Sequence, residues 1–489
     1  MKTVIGLDIG TTSVKAVVYD TNGNLLTEAE EMITTLHPVP GWAEQDPDEI
    51  LVKTRQVLKS AAAAIRDEGN TLLAVGFSSA MHSLICVDKN KRALSNMLIW
   101  SDGRSSEQAV KLNSGAGKEV YSRTGTPIHP MSPFVKLHWM RETAFMPYQE
   151  AAYFLSMKEY LLWHWFGKRV IDYAMASATG LYNVTTKKWD ETVLRLAGIQ
   201  KEQLSEIVPP DTVLNGLKPE VAAELGISAD VPFVAGSADG QLANLGDGAI
   251  EPGEVAVSVG TSGAIRQFTE GAPIDENRAT FTYAFTEDTS IIGGPTNNGG
   301  IVLQWLKEML EFEGSHEELL AGAADIAPGA EGVLFLPYVN GERAPLWNQA
   351  AKGSFYGLTI AHRKQHLVRA VLEGIALNLY QIGLSLEKLA GTPKRITVNG
   401  GLSKSEIWVQ ILADVFGREI HLSESHHSAA WGAAWTALVG IGYVKSFAAI
   451  KDHIPIRRIV KPNMQHHEKY RGIYIKYTGL GERMSDFYE

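Results

Sequence analysis

The sequence predicts an α/β fold made of two similar lobes. In the first half, two β-rich segments, residues 3–9 and 14–19, flank the small-residue turn Gly10-Thr11-Thr12-Ser13. A related pattern returns in the second half, where residues 254–259 run into Gly260-Thr261-Ser262-Gly263 and then into residues 264–268. Between these patterns, residues 237–248 are rich in glycine, which is typical of a junction. We therefore expect two lobes, residues 1–247 and 248–489.

The opening elements have the order of an actin-like, or ribonuclease H-like, lobe. Residues 25–33 are predicted to form a third strand after a turn at residues 20–24. A helix begins after Asp46, which serves as N-cap, with Pro47 at the first position and Glu49 three residues after the cap. Its apolar face continues to Ile65, and residues 73–77 return as a strand. Three antiparallel strands, a helix and a returning strand predict two actin-like lobes with a catalytic cleft between them.

Further elements are predicted in the second half. Residues 395–398 are β-rich, and residues 301–310 form an apolar helical segment that follows paired glycines. Residues 405–416 and 429–438 have helical patterns as well. We expect these last two helices to belong to the second lobe.

Composition bounds the classes of function and partner. Of the 489 residues, 45% are hydrophobic and 20% charged, as in ordinary globular proteins, and the net charge of −10 is spread along the chain, so we expect no nucleic-acid partner. The single cysteine, Cys86, excludes an intrachain disulfide and favours a reducing cytoplasm. Asp8 interrupts the apolar start, and no stretch approaches the roughly 18 apolar residues of a membrane span. We expect a cytoplasmic protein without membrane attachment; a homodimer remains open.

The first small-residue turn suits a polyphosphate ligand. Backbone amides and hydroxyls of Thr11, Thr12 and Ser13 can donate to phosphate oxygens, and Lys15 adds a positive charge close by. Asp8, at the preceding strand end, can hold a magnesium ion through water. An ordinary glycine hairpin is the alternative for this turn alone. The second turn, with Thr261, favours ATP held between two such turns across a cleft.

Two further features fit a phosphotransfer site. Gly400 and Gly401 end a β-rich stretch, and together with Ser405 and Gly300 they could lie against the adenine or ribose of ATP. Glycine turns needed only for chain geometry are the alternative. Asp239, in the junction, could accept the proton of an attacking hydroxyl, while the alternative is a helix cap near Gln241.

The residues at this point resemble the FGGY carbohydrate kinases over nearly the whole chain. Residues 131–139 are similar to the family's first signature and residues 398–434 to its second, and residues 100–104 and 338–345 also match family segments. By this resemblance, Asp239 would be the catalytic base, and Asp8 with Asp239 would hold Mg²⁺. ATP would be surrounded by Thr11, Thr12, Ser13, Lys15, Thr261, Gly300, Gly400, Gly401 and Ser405. The sugar contacts implied are Met81, His82, Met131, Gln241 and Asp239.

Within the family, residues 77–83 and 123–133 look most like the gluconate kinases, whereas glycerol kinases would have Arg-Glu at Met81-His82. The resemblance implies ATP-dependent phosphorylation of a small sugar or sugar acid, D-gluconate giving 6-phosphogluconate. A carboxylate would need donors, and His82, Arg104 and His129 are the candidates. Alternatively, Arg104 pairs with Asp102 and His129 only orders its loop. A pentulose kinase acting on xylulose or ribulose, and an actin-like nucleotide switch, stay open as other functions.

Overall fold

Two mixed β-sheets form the framework of the protein in a computed structural model that describes residues 1–423, 427–454 and 456–488. The strands are β1 Lys2–Ile9, β2 Ser13–Asp20, β3 Leu25–Met32, β4 Glu44–Gln45, β5 Thr71–Ser79, β6 Ile85–Val87, β7 Met97–Leu98, β8 Tyr153–Leu155, β9 Val170–Asp172, β10 Tyr182–Asn183, β11 Lys188–Trp189, β12 Glu206–Val208, β13 Val213–Leu214, β14 Phe233–Ala238, β15 Glu254–Val259, β16 Gly263–Glu270, β17 Phe281–Ala284, β18 Thr289–Thr296, β19 Leu334–Leu336, β20 Ser354–Tyr356, β21 Arg395–Gly400, β22 Ile420–Ser423 and β23 Ile456–Val460.

The α-helices are α1 Pro47–Asp67, α2 Ser106–Asn113, α3 Gly117–Thr124, α4 Pro133–Glu142, α5 Met146–Glu150, α6 Met157–Phe166, α7 Tyr173–Ala178, α8 Glu191–Ala197, α9 Pro219–Leu225, α10 Asp239–Gly246, α11 Gly300–Met309, α12 His316–Ala324, α13 Lys364–Ala390, α14 Glu406–Phe416, α15 Ser428–Gly440 and α16 Met464–Met484. Residues 424–426, which fall inside the second signature-like segment, lie outside the described residues.

The two large sheets share one pattern. The first has the order β13-β14-β5-β1-β2-β3, and the second, in the described part of the chain, has the order β17-β18-β16-β15-β21-β22-β23. In the first sheet β1, β2 and β3 are antiparallel neighbours, while β5 and β14 continue parallel to β1. In the second, β15, β16 and β18 are antiparallel and β21 and β22 run parallel to β15. The predicted α/β fold of two actin-like lobes is confirmed.

Helix α1 shows how local sequence sets an element's bounds. The Asp46 carboxylate accepts hydrogen bonds from the backbone of Asp48 and Glu49, and Pro47 occupies the first turn, as predicted. Its apolar residues, including Ile50, are buried against β2 and β3. The helix extends to Asp67, two residues past the last apolar position that the sequence offered.

Helix α15 packs closely on the first sheet. We expected this helix in the second lobe, and the structure shows that it lies against β1 and β5 of the first sheet and against α10. A Cβ at Gly6 would come within 1.9 Å of the Ala430 carbonyl oxygen, and one at Gly76 within 1.9 Å of the Ala433 oxygen. Glycine at both sheet positions therefore allows the helix backbone to approach the sheet closely.

Helix α13 is long and apolar enough to cross a membrane by length and composition, with a mean hydropathy of 1.3 over an 18-residue window. We had expected no stretch of this kind from the sequence. Helix α13 is the one such helix in the described ranges, and 78% of that window is buried inside the protein. Val371 and Ile375, for example, belong to the core that fills the second half. This burial is typical of a core helix.

Candidate active site

The first sheet places two carboxylates at one edge. Strands β1, β5 and β14 are parallel neighbours, so their carboxyl ends meet at the same edge. Asp8 lies near the end of β1 opposite Ser78 of β5, whose hydroxyl donates to Asp8 Oδ1 at 2.6 Å. Asp239 directly follows β14 as the first residue of α10. The topology thus brings Asp8 and Asp239, far apart in the chain, to one edge.

Asp239 has the electrostatics of a proton acceptor. Burial, followed by the Asp8 charge, raises the pKa of Asp239 to about 6, while the Arg266 charge opposes this rise. Its Oδ1 accepts a hydrogen bond from the Gly240 amide at 2.7 Å, and Ala238, not Asp239, is the N-cap of α10. Burial also raises the pKa of Asp8, against the Ser78 hydrogen bond. A base with a pKa of about 6 is ionised at neutral pH and still takes a proton readily.

The second sheet brings the small-residue turns of the second half together. Strand β15 ends at Val259, which pairs with Gly400 at the end of the parallel strand β21. The turn after β15 is fastened to α11, because the Gly300 amide donates to the Gly260 carbonyl at 2.7 Å and the Ile301 amide donates to that of Thr261 at 3.0 Å. Thr261, Gly300, Gly400 and Gly401 therefore lie at one edge of the second sheet.

A pocket of about 420 Å³ lies between the two halves. Its walls come from strands of the second sheet, from the turns after β1 and β15, and from the segments after β5, β7, α3, β14 and β19. The lining residues are Thr11, Thr12, Met81, His82, Trp100, Met131, Asp239, Ser258, Gly260, Thr261, Ser262, Gly263, Ala264, Arg266, Phe281, Tyr283, Pro295 and Arg343. Seven residues singled out from the sequence are thus brought together: Thr11, Thr12, Met81, His82, Met131, Asp239 and Thr261.

His82 is held as a neutral ring in this pocket. Its Nδ1 lies 2.8 Å from the Ala178 carbonyl oxygen, and burial, with the Lys136 charge, lowers its pKa to about 3. A neutral ring that donates from Nδ1 leaves Nε2 as an acceptor. The backbone of His82 has a φ of 67°, and the buried Lys136 ammonium donates to its carbonyl oxygen at 2.7 Å. This imidazole is suited to accept a hydrogen bond from a sugar hydroxyl.

Several predicted residues are engaged elsewhere. The Arg104 guanidinium donates to Asp102 at 2.8 and 2.9 Å and lies 3.8 Å from the Trp42 ring centroid. The pairing of Arg104 with Asp102, given above as the alternative to a sugar contact, is therefore observed. Lys15 forms an ion pair with Glu30 at 3.2 Å, and Ser13 also hydrogen-bonds Glu30. The Ser405 hydroxyl caps α14 by accepting from the Trp408 amide at 3.3 Å. None of these four predicted residues, Arg104, Lys15, Ser13 and Ser405, lines the pocket.

His129 and Gln241 are buried beside the pocket rather than in its wall. His129 Nδ1 accepts from the Met131 amide at 3.2 Å, and its ring lies 5.8 Å from that of Trp347. Burial, followed by the Arg343 charge, lowers the His129 pKa to about 3. Its Nε2 and both side-chain polar atoms of Gln241 have no hydrogen-bond partner among the described residues.

Sequence reasoning missed two cations of the pocket, Arg266 and Arg343. Arg343 donates to the Thr296 carbonyl at 3.1 Å and lies 4.8 Å from the Trp100 ring centroid, and burial lowers its pKa to about 10. It belongs to the segment 338–345 that the sequence had already singled out, which was a usable signal. Arg266 is the third residue after Gly263 in β16, a strand that also contains the polar residues Gln267, Thr269 and Glu270, which is a weaker signal.

The two carboxylates could share a metal ion with a phosphate ligand. In the described residues there is no group of three or more His, Cys, Asp or Glu side chains that could hold a metal by itself. Asp8 and Asp239 repel each other across one sheet edge, since the Asp8 charge contributes to the raised pKa of Asp239. Mg²⁺ is commonly held by one or two carboxylates together with substrate phosphates, and this pair fits that pattern.

Comparison with known proteins agrees with this geometry. Residues 3–246 match the N-terminal domain and residues 255–441 the C-terminal domain of the FGGY family of carbohydrate kinases. The chain is 39% identical to a gluconokinase from Bacillus subtilis (strain 168), over 99% of this chain and 96% of the relative. Among solved structures, a gluconate kinase from Lactobacillus acidophilus covers 100% of this chain and 99% of its own at 33% identity, with a TM-score of 0.96. A ligand-bound xylulose kinase from the same organism has 33% identity, the same coverage and a TM-score of 0.97. The chain therefore belongs to the FGGY family of carbohydrate kinases.

Proposed function

We propose that this chain transfers the γ-phosphoryl group of ATP to the terminal hydroxyl of D-gluconate and releases 6-phosphogluconate. The observation that carries the reaction is the position of Asp239, in a pocket lined by both Gly-Thr turns and by Met81 and His82. The sugar-acid preference is supported by the near full-length similarity to the Bacillus subtilis gluconokinase.

In this proposal Asp239 orients the attacking hydroxyl and accepts its proton. Its buried position and its pKa of about 6 suit that role. His82 would accept a hydrogen bond from a sugar hydroxyl through Nε2, and Met81 and Met131 would pack against the carbon chain. Gln241, whose side-chain polar atoms lack partners in the described part of the chain, and His129, whose Nε2 lacks one there, would act at the edge of this sugar site.

ATP would lie mainly along the second sheet. Backbone and hydroxyl groups of Thr11, Thr12 and Thr261 would donate to the phosphates, as polyphosphate-binding turns do. Gly300, Gly400, Gly401 and Ser405 would be near the nucleoside. Ser13 and Lys15 would support the first turn from outside the pocket, because their side chains contact Glu30.

Mg²⁺ would be held by Asp8 and Asp239 together with the phosphates. When bound, the ion neutralises charge on the transferred phosphoryl group. On this proposal the chain divides near residue 247, with sugar contacts mostly before it and nucleotide contacts mostly after it. A cytoplasmic location would follow from such a metabolic role.

A pentulose such as xylulose is the second candidate substrate. The observation that favours it is the Lactobacillus acidophilus xylulose kinase, which is as similar in structure and identity as the gluconate kinase from that organism. An actin-like nucleotide switch, the third function left open by the sequence, would hydrolyse ATP without any sugar.

The test is ADP formation with magnesium and ATP in five parallel reactions, containing gluconate, xylulose, ribulose, glycerol or no sugar. Mass spectrometry would identify the phosphorylated product. We expect strong turnover with gluconate only, and the mass of a phosphogluconate. Preferred turnover of a pentulose would replace the substrate assignment, and sugar-independent ADP formation would contradict the kinase reaction.

A further inference from the structure

Arg266 is a cation of the pocket whose side chain has no partner among the described residues. Its side chain lines the pocket, yet it has no hydrogen bond or ion pair within the described ranges. The carboxylates of Asp239 and Asp247 act on its charge only at longer range, since no ion pair of 4.0 Å or less joins Arg266 to either. A partly buried charge without a partner is costly unless a ligand supplies the counter-charge.

The fold makes room for this side chain with two glycines. Gly293 faces Arg266 across the ladder between β16 and β18, and a Cβ there would come within 3.0 Å of Arg266 Cγ. Gly240, next to Asp239, is equally close: its Cβ would lie 3.0 Å from Arg266 Nε. Both neighbours lack a side chain where the guanidinium passes, which leaves that group open toward the pocket.

Arg266 lies beside Met81, a proposed sugar contact, because a Cβ at Gly240 would meet both Arg266 Nε at 3.0 Å and Met81 Cε at 3.2 Å. Strand β16 leaves the phosphate turn at Ser262, and Ala264 and Arg266 both line the pocket because alternate residues of a strand share a face. Arg266 is thus further along the strand from the turn than Ala264. In a sugar acid the carboxyl group is at the end opposite the hydroxyl that receives the phosphoryl group.

The other cations of the region are already engaged. Arg343 donates to a backbone carbonyl and lies over the Trp100 ring, Arg104 is paired with Asp102, and the His82 and His129 rings are neutral. Arg266 and Arg343 also repel each other across the pocket. An anionic group placed there would relieve this repulsion.

We propose that Arg266 binds the carboxylate of the sugar-acid substrate and thereby determines the preference for a sugar acid over a neutral sugar. This inference rests on the proposed function, because it names the residue that recognises the substrate's charged end. It replaces Arg104 as the residue expected to pair with that carboxylate.

The test compares D-gluconate with gluconamide, its neutral amide, as acceptors at saturating MgATP. Measurements are made well above the Asp239 pKa, since removing the Arg266 charge would raise that pKa and confuse the comparison. Charge-assisted hydrogen bonds of this kind correspond to about a 10- to 100-fold effect. We expect wild-type kcat/KM to favour gluconate by that factor, and Arg266→Gln to bring the ratio near one through a higher KM for gluconate. Arg266→Lys should keep part of the preference.

Arg471→Gln, an exposed arginine on α16, is the matched control and should behave as wild type. The melting temperature and ADP binding of each variant report whether it is folded. Equal use of gluconate and gluconamide by the wild type would overturn the inference without any variant. So would an equal fall in kcat for both acceptors in Arg266→Gln, which would place the guanidinium at the phosphoryl group. If the wild type does not phosphorylate gluconate at all, the proposed function itself fails.

Discussion

Asp239 is the residue whose replacement most directly tests the proposed chemistry. Asp239→Asn preserves the size of the side chain but removes its ability to accept a proton, so we expect kcat to fall by about 10²- to 10⁴-fold. Binding of ATP without Mg²⁺ should be nearly unchanged, because the phosphate turns do not depend on this carboxylate for their shape. Steady-state kinetics and calorimetric ATP binding measure the two effects. Asp230→Asn, exposed before β14, is the control; near-normal turnover of Asp239→Asn would remove the base from the mechanism.

The pH dependence of the reaction follows from the same residue. Asp239 must be ionised to accept a proton, and its pKa lies near 6, raised by burial and by Asp8. We therefore expect kcat/KM for gluconate to be constant above that value and to fall about tenfold per pH unit below it. The profile is measured with gluconate and MgATP both well below saturation, so that it reports the ionisation of the free enzyme. Activity that persists undiminished well below this pKa would show that another group takes the proton.

At the scale of elements, the close packing of α15 on the first sheet depends on small residues. Gly6→Ala would place a Cβ against the Ala430 carbonyl oxygen, which is backbone and cannot move away cheaply. We expect a loss of about 1–3 kcal/mol or more in the free energy of unfolding. The control is Gly472→Ala in α16, where a Cβ would meet nothing within 4 Å. This substitution should stabilise the helix by about 0.5–1 kcal/mol. Denaturant titration measures both; a neutral Gly6→Ala would mean that the helix can shift.

Lys136 on α4 joins two loops that shape the sugar side. Its buried ammonium donates to the carbonyl oxygens of His82 at 2.7 Å and Ile99 at 2.8 Å. Lys136→Met leaves these acceptors unpaired, so we expect a loss of about 1–3 kcal/mol in unfolding free energy. Since His82 is held at a positive φ, we also expect a higher KM for gluconate with an unchanged KM for ATP. Exposed Lys168→Met is the control; an unchanged sugar KM would show that Lys136 does not position His82.

The elements that the sequence predicts well are those whose signals lie within a few neighbouring residues of the chain. Helix α1 and the hairpins around Thr11 and Thr261 have local caps, turns and alternation, and they were predicted to within a few residues. The short elements between β5 and β14 have caps, such as the Ser156 capping box of α6, but they lack a clear periodicity. Helix α6 is buried on nearly all sides and has no polar face to give a helical period. The packing of α15 on the first sheet was not predicted, because contact between distant segments is decided by tertiary packing.

The site shows the same division. The pocket gathers Thr11, Met81, His82, Asp239 and Thr261, which motifs could identify because backbone turns and strand ends constrain their sequence. The partners of long side chains could not be predicted in this way. Arg104 pairs with Asp102, whereas Arg266 is unpaired within the described residues, and nothing in either local sequence distinguishes the two outcomes.

At the scale of the whole molecule, both halves of the chain contribute residues to the pocket. Met81, His82 and Met131 come from the first half of the chain, and Arg266 and Arg343 from the second. A ligand that contacts both sets is bound only when both halves are folded and close together. Sugar binding should therefore stabilise the protein as one unit.

We accordingly expect gluconate alone, without nucleotide, to raise the temperature at which both halves unfold. At about 100 times its dissociation constant, a ligand that binds only the folded state adds about 2.7 kcal/mol to the free energy of unfolding. Differential scanning calorimetry across a gluconate series measures the shift, with glycerol at equal concentration as a control for general solvent effects. If the halves unfold separately, both transitions should move. A shift confined to one transition would mean that the sugar contacts a single lobe. Arg266 and Arg343 would then contact the substrate only after ATP has brought the lobes together.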